Sequence, residues 1–282
     1  MTRLFWGLVF WGLGFIPVLI GVFWLPWEPT ALVARPFLSP SLAHPMGTDW
    51  LGRDLLSRVM AGGRASWTIA FLSVAAGGLL GTVLGGIAGL GGEILAEGLL
   101  RLFDAVLAFP PVLLALLLAV LLGRGLPGVA LALALFNLPY FARLTHAGVL
   151  TLKEREFVVA ARAAGASTTR VLLRHILPNL ASALLVQTTA SLSTALLAEA
   201  SLSYLGLGVQ PPEPSWGRML WEAQGYLFQS PWPAVFPALF LISAVLGLNI
   251  LGDFLHDYLD PQLRAFILLR PPRDRGRKAS TP

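Results

Sequence analysis

The sequence predicts an all-α membrane protein with about six transmembrane helices. Of its 282 residues, 56% are hydrophobic and only 12% are charged, where an ordinary soluble domain carries roughly 25%. Its mean hydropathy is +0.72, which is more apolar surface than a soluble protein of this size can bury. The lysines and arginines also divide unequally between the two sides that six spans define.

A helix needs ~20 apolar residues to cross the ~30 Å hydrocarbon core. The first such stretch runs from Leu4 to Leu25. It exceeds the ~7–15 residues of a signal-peptide core and has no small-x-small cleavage site, so it reads as a retained helix. Further spans are expected at Trp67–Leu90, Leu99–Leu122, Val129–Leu150, Leu180–Leu207 and Ala234–Leu255. The second carries Gly77, Gly78, Gly81, Gly85, Gly86 and Gly89, and small residues let helices approach closely in lipid. The third is interrupted by Pro110 and Pro111, read as a kink. Three pieces lie between spans: Pro26–Ser66, Thr151–Asn179 and Gly208–Pro233. The chain therefore divides into residues 1–66 (a first span plus an extracytoplasmic segment), a core at 67–260 with a loop at 151–179, and a basic tail at 261–282, read as disordered.

An even number of spans puts both termini on one side. With Met1 cytoplasmic, that side holds fourteen of the twenty Lys and Arg residues, and Arg35, Arg53, Arg58, Arg64, Arg124 and Arg218 lie opposite. This agrees with the positive-inside rule. Trp24, Trp27, Trp50, Trp67, Trp216, Trp221 and Trp232 then gather at the outer interface, where amphipathic indoles are favoured. The net charge of +5 reads as orientation rather than nucleic-acid binding, because no basic face with interleaved aromatics is present.

The missing chemistry narrows the function. There is no cysteine, hence no disulfide, thiolate metal site or cysteine nucleophile. The two lysines follow Leu152 and Arg277, whereas a P-loop places lysine after glycine. No Gly-x-Ser-x-Gly elbow occurs. His44, His146, His175 and His256 are scattered over both sides, so no shared metal site is expected. The chain reads as a non-enzyme that binds no cofactor of its own.

The loop at 151–179 is the most informative segment. Glu154 to Ala164 favours helix, with acids in its first turn. Gly165 can take the left-handed conformation that ends a helix. Ser167 or Thr168 can cap a second short helix, and Pro178 suits the first turn of the next span. Phe157, Val158, Ala160, Ala161, Ala164, Val171 and Leu172 offer apolar surface rimmed by Arg155, Arg162, Arg170 and Arg174. On physical grounds this suits a partner interface or a helix resting on anionic lipid.

At this loop the sequence resembles the permease subunits of binding-protein-dependent ABC importers. Their pattern is Glu-Ala-Ala, three residues, Gly, nine residues, then Ile-x-Leu-Pro. Ala160, Ala161, Gly165, Leu177 and Pro178 match it in register, while Val159 replaces the glutamate and His175 the isoleucine. Both departures are similar to the dipeptide, oligopeptide and nickel branch. Residues 44–58, 199–217 and 248–261 resemble the entry segment, fifth helix with its following loop, and ending of the "C"-type subunit in that branch.

The resemblance implies a type I importer permease fold with a cytoplasmic coupling helix between helices 4 and 5. It implies coupling residues Glu156, Ala160, Ala161, Arg162, Gly165, Arg174, His175, Leu177 and Pro178. The implied partners are a "B"-type permease, an extracytoplasmic solute-binding protein and two cytoplasmic ATPases, which would bind the ATP and Mg. The implied cargo is a peptide, with nickel or another small solute as the alternative. The rival from another class is a stand-alone secondary transporter, which needs coupling-ion residues at midplane and usually an internal repeat that is not seen here. Glu199, a carboxylate inside a span, would line the translocation pathway with Ser203 and Gly206, or serve as a packing residue. Asp49, Arg53, Asp54 and Arg58 could form an ion-paired cluster that orders the outer segment or receives the binding protein, but each reads most simply as a solvated helix charge.

Overall fold

The computed structural model describes residues 2–123 and 125–259, so the basic tail and Arg124 lie outside the described residues. Its helices are α1 (Thr2–Phe23), α2 (Leu55–Leu90), α3 (Glu93–Leu107), α4 (Pro111–Leu122), α5 (Leu126–Leu152), α6 (Glu156–Ala163), α7 (Thr168–Val171), α8 (Leu177–Tyr204), α9 (Trp216–Ala223) and α10 (Trp232–Leu259). Five of them, α1, α2, α5, α8 and α10, are long and apolar enough to cross a membrane.

The glycine stripe of α2 sets the central packing. Gly77, Gly81 and Gly85 lie so close to the carbonyl oxygens of Ala134, Leu138 and Ala142 on α5 that an added methyl would collide with each. Both sets of numbers rise together, so α2 and α5 run parallel. The C-terminal end of α2 and the N-terminal end of α5 are then at opposite faces of the bundle. The chain must cross back between Leu90 and Leu126, and α3 with α4 makes that crossing. The expected third span is therefore a broken one. Pro110 takes extended dihedrals (φ −55°, ψ 129°), as a residue preceding proline tends to, and α4 restarts with Pro111 in its first turn. At 12 residues and ~1.5 Å per residue, α4 alone falls well short of a bilayer.

Around this pair, α1 and α10 run antiparallel through small residues. Gly14 abuts the backbone of Ala244, and Gly247 abuts that of Trp11. Gly63 of α2 likewise admits Val18 and Trp216. The outer side of α1, with Phe5, Trp6, Leu8, Leu13 and Ile16 at least half exposed, is a lipid-facing surface. Arg3 Nη1 reaches Asp257 Oδ2 at 3.1 Å, which fixes the start of α1 and the end of α10 on one face. The α6–α7 loop shares this loop face, while the 24–54 segment and α9 form a cap on the opposite one. Arg3, Arg101, Arg143, Lys153, Arg155, Arg162, Arg170 and Arg174 fall in the loop-face half, against Arg35, Arg53, Arg58, Arg64 and Arg218 in the cap half.

The cap is more helical than expected, because α2 starts at Leu55 rather than near Trp67. Asp54 caps it, with Oδ2 accepting from Ser57 N and Ser57 Oγ, both at 2.8 Å. His44 Nδ1 lies 2.9 Å from Asp54 Oδ1. Asp49, Arg53, Asp54 and Arg58 are not solvated charges, for all four are buried, Arg58 at 1% exposure. Arg53 Nε bonds Asp49 Oδ2 at 2.6 Å. Glu222 of α9 accepts from Arg53 Nη2 at 3.1 Å and Arg58 Nη2 at 2.9 Å through Oε2, and from Arg218 Nε at 3.3 Å through Oε1. Sequence alone did not single out Glu222, whose pairs with Arg53 and Arg58 span more than 160 residues. Pairing is what makes such burial tolerable.

Candidate functional site

Glu156 stands in the first turn of α6, and Arg155 is its N-cap residue. The helix ends where Gly165 adopts φ +84°. Gly165 N bonds Arg162 O at 2.9 Å and Ala166 N bonds Ala161 O at 3.0 Å, the paired bonds of a left-handed C-terminal cap. A Cβ on Gly165 would meet nothing within 4 Å, so conformation rather than space calls for glycine here. Ser167 then caps α7, its Oγ accepting from Arg170 N at 3.4 Å.

The structure departs from expectation after Val171. Residues 172–176 form a π-helical turn closed by Leu177 N to Leu172 O. Asn179 Nδ2 donates to His175 O at 2.7 Å. Pro178 offers no N–H to the preceding turn, which favours this wider register. The second short helix is therefore not separate from the next span, and residues 168–204 form one continuous rod.

Val158, Val171 and Ile176 are fully buried with Val149 and Leu180, so Val158 and Val171 belong to the core and not to the apolar patch inferred above. Val158 alone roots α6. Glu156, Ala160, Arg162 and Gly165 are exposed and Ala161 is half-buried. Phe157 (43%) and Val159 (53%) are exposed beside them. Arg174 and Pro178 are exposed, whereas His175 and Leu177 are partly buried at the joint with α8. The exposed side of α6 thus offers apolar surface from Phe157, Val159 and Ala160, with Glu156 among them and Arg162 flanking, on the loop face of the bundle. Beside it, Val83, Ile87 and Leu90 of α2 and Leu172, Leu173 and Leu177 line an apolar groove of about 430 Å³.

The other three expected site residues lie near the cap end of α8. Glu199 and Ser203 are fully buried, with Ser203 Oγ donating to Glu199 Oε1 at 2.6 Å. Within this chain neither side chain reaches an open surface. Gly206 is half-buried and takes φ +81°, where Leu207 N bonds Leu202 O at 2.9 Å and closes α8. It ends the helix, while Gly208 packs against Ser203.

Comparisons with known proteins bear on this geometry. Residues 81–265 match the family described as the binding-protein-dependent transport system inner membrane component. The chain is 41% identical over 226 residues to the dipeptide transport system permease protein DppC of Alkalihalophilus pseudofirmus, covering 80% of this chain and 74% of that one. It is 44% identical to the di/tripeptide transport system permease protein DppC of Pseudomonas aeruginosa, over 78% of this chain and 72% of that one. It is also 44% identical to the glutathione transport system permease protein GsiD of Escherichia coli, over 80% and 74% respectively. Among solved structures, the inward-facing MetNI methionine ABC transporter shares the fold with a TM-score of 0.59 at 19% identity, over 73% of this chain and 96% of that one.

Proposed function

This chain belongs to the binding-protein-dependent transport system inner membrane components, and from that premise we propose that it is one permease subunit of an ATP-driven peptide importer. Three relatives named for dipeptide, di/tripeptide and glutathione transport support the cargo class. The observation that carries the coupling role is the α6 face, rooted by Val158 and otherwise presented outward. Exposed apolar surface interspersed with charge fits a cleft on a partner.

In this reading the loop face is cytoplasmic, consistent with its arginines, and both termini lie there. A second, "B"-type permease completes the pathway, and two cytoplasmic ATPases bind the ATP and Mg, this chain holding no cofactor and performing no catalysis. A solute-binding protein delivers the peptide to the cap. Closure of the ATPases moves α6 with Glu156, Ala160, Ala161, Arg162 and Gly165. The continuous 168–204 rod, gripped at Arg174, His175, Leu177 and Pro178, carries that displacement across the membrane and opens the pathway outward. Hydrolysis returns it. The pathway itself runs along α8 near Gly206 and the partner's facing helix.

Because the chain has no cysteine, a single Ala160→Cys reports contacts without background. Crosslinking in native membranes is expected to join it to an ATPase subunit. A crosslink to lipid reagents alone, with no ATPase recovered, would overturn the coupling role.

A further inference from the structure

We propose that Glu199 is a positioning residue: its buried carboxyl is the polar hub on which α2 and α9 pack against α8, and it makes no use of a negative charge. Glu199 is fully buried, and its only formed side-chain bond is the one from Ser203. Its Oε2 has no partner, and neither does the fully buried Ser66 Oγ of α2. The Ser215 hydroxyl accepts from Arg218 N at 3.3 Å. Ser215 is itself fully buried and caps α9.

The backbones around this carboxyl are closely packed. Gly217 of α9 sits against the carbonyl of Ala200, and Gly62 of α2 sits against the backbone of Ser215, which brings α2 and α9 together beside this part of α8. Trp216, fully buried, donates from Nε1 to Val59 O at 2.9 Å. Three elements thus converge on one polar group in a buried layer. The nearby cap cations Arg53, Arg58 and Arg218 are taken up by Asp49 and Glu222. An unpaired buried charge is costly inside a membrane, whereas hydroxyl neighbours on α2, α8 and α9 suit a group that bonds without one. The hub makes the cap end move with α8, so displacement started at α6 reaches α9.

The role deepens the importer reading, and the test separates the two. Glu199→Gln keeps the shape and hydrogen bonding without the charge, and Glu199→Leu keeps only the bulk. Each is assembled in the whole complex purified from native membranes. The thermal unfolding midpoint and the stimulation of ATP hydrolysis by the binding protein are then measured. Glu199→Gln is expected to match the parent in both. Glu199→Leu is expected to melt several degrees lower and to lose the stimulation, while basal hydrolysis persists. Ser66→Ala added to Glu199→Leu should lower the midpoint no further. Equal damage from Gln and Leu would show that charge is needed and overturn the hub. Full stimulation in Glu199→Leu would overturn it as well. A parent complex without any stimulation would instead sink the importer reading, leaving the midpoints to judge the hub.

Discussion

Gly165 and Glu222 show how differently single residues are constrained. At Gly165 the space around a Cβ is open and φ is +84°, so side-chain size is not the issue. Alanine there meets a left-handed penalty of about 1–2 kcal/mol, while asparagine visits that region more readily. Gly165→Asn, the larger change, is therefore expected to keep transport-coupled hydrolysis better than Gly165→Ala, with membrane insertion unchanged in both. The reverse order in a hydrolysis assay would mean that bulk against the ATPase decides. At Glu222 the constraint is charge. Replacing it by alanine leaves the buried Arg53 and Arg58 to share the one carboxylate of Asp49 and takes the carboxylate partner from Arg218. Removing one partner of a buried pair typically costs about 3–5 kcal/mol. Protease cleavage within 24–54 should become rapid in Glu222→Ala, and unchanged resistance would show that the network is dispensable. The Gly165 turn was legible because a left-handed cap is a local property of a Gly-Ala-Ser stretch. The ion network was legible only as a cluster within residues 49–58, because nothing there names Glu222 of α9 as its partner.

At the scale of elements, hydrophobic length located every span but misjudged continuity twice. It joined α3 to α4 across a proline pair that splits them, and it parted α7 from α8 where the chain runs on. The second error has a physical cause: Pro178 marks a first turn in most contexts, and a π turn leaves no residue pattern of its own. That turn inserts one residue between the loop and the rod. A π turn takes up its extra residue locally, so the helices on either side keep the orientation of an unbroken α-helix. Deleting Leu173, which is 57% exposed, should therefore close the turn to α-helix and leave Val158 and Val171 seated with Val149. The Ala160→Cys crosslink to the ATPase should then persist. Loss of the crosslink in a chain that still inserts would mean that the π turn itself sets the direction of the loop.

For the whole molecule, the issue is how five unbroken helices produce an even number of crossings. The parallel α2–α5 pair demands a return between Leu90 and Leu126, and α3 with α4 is the only chain available to make it. The amphipathic α3 begins at Glu93 on the loop face and the apolar α4 ends at Leu122, in the order that a crossing toward the cap requires. The result keeps the arginines of α6 and α7 on the same side as Arg3, the side that the importer proposal makes cytoplasmic. Single cysteines in the cysteine-free chain test this directly. Gly92, with nothing within 4 Å of an added Cβ, and Ala160 mark the loop face. Leu42 and Phe228, both fully exposed, mark the cap. In intact cells a membrane-impermeant maleimide should label Leu42→Cys and Phe228→Cys at once, and Gly92→Cys and Ala160→Cys only after permeabilisation. Labelling of all four in the opposite order would invert the molecule and place the α6 face beyond the reach of any cytoplasmic ATPase. Labelling of Gly92→Cys together with the cap positions would break the parallel α2–α5 arrangement itself. The glycine stripe argues against that outcome, because only a parallel pairing sets Gly77, Gly81 and Gly85 against carbonyls that ascend in step.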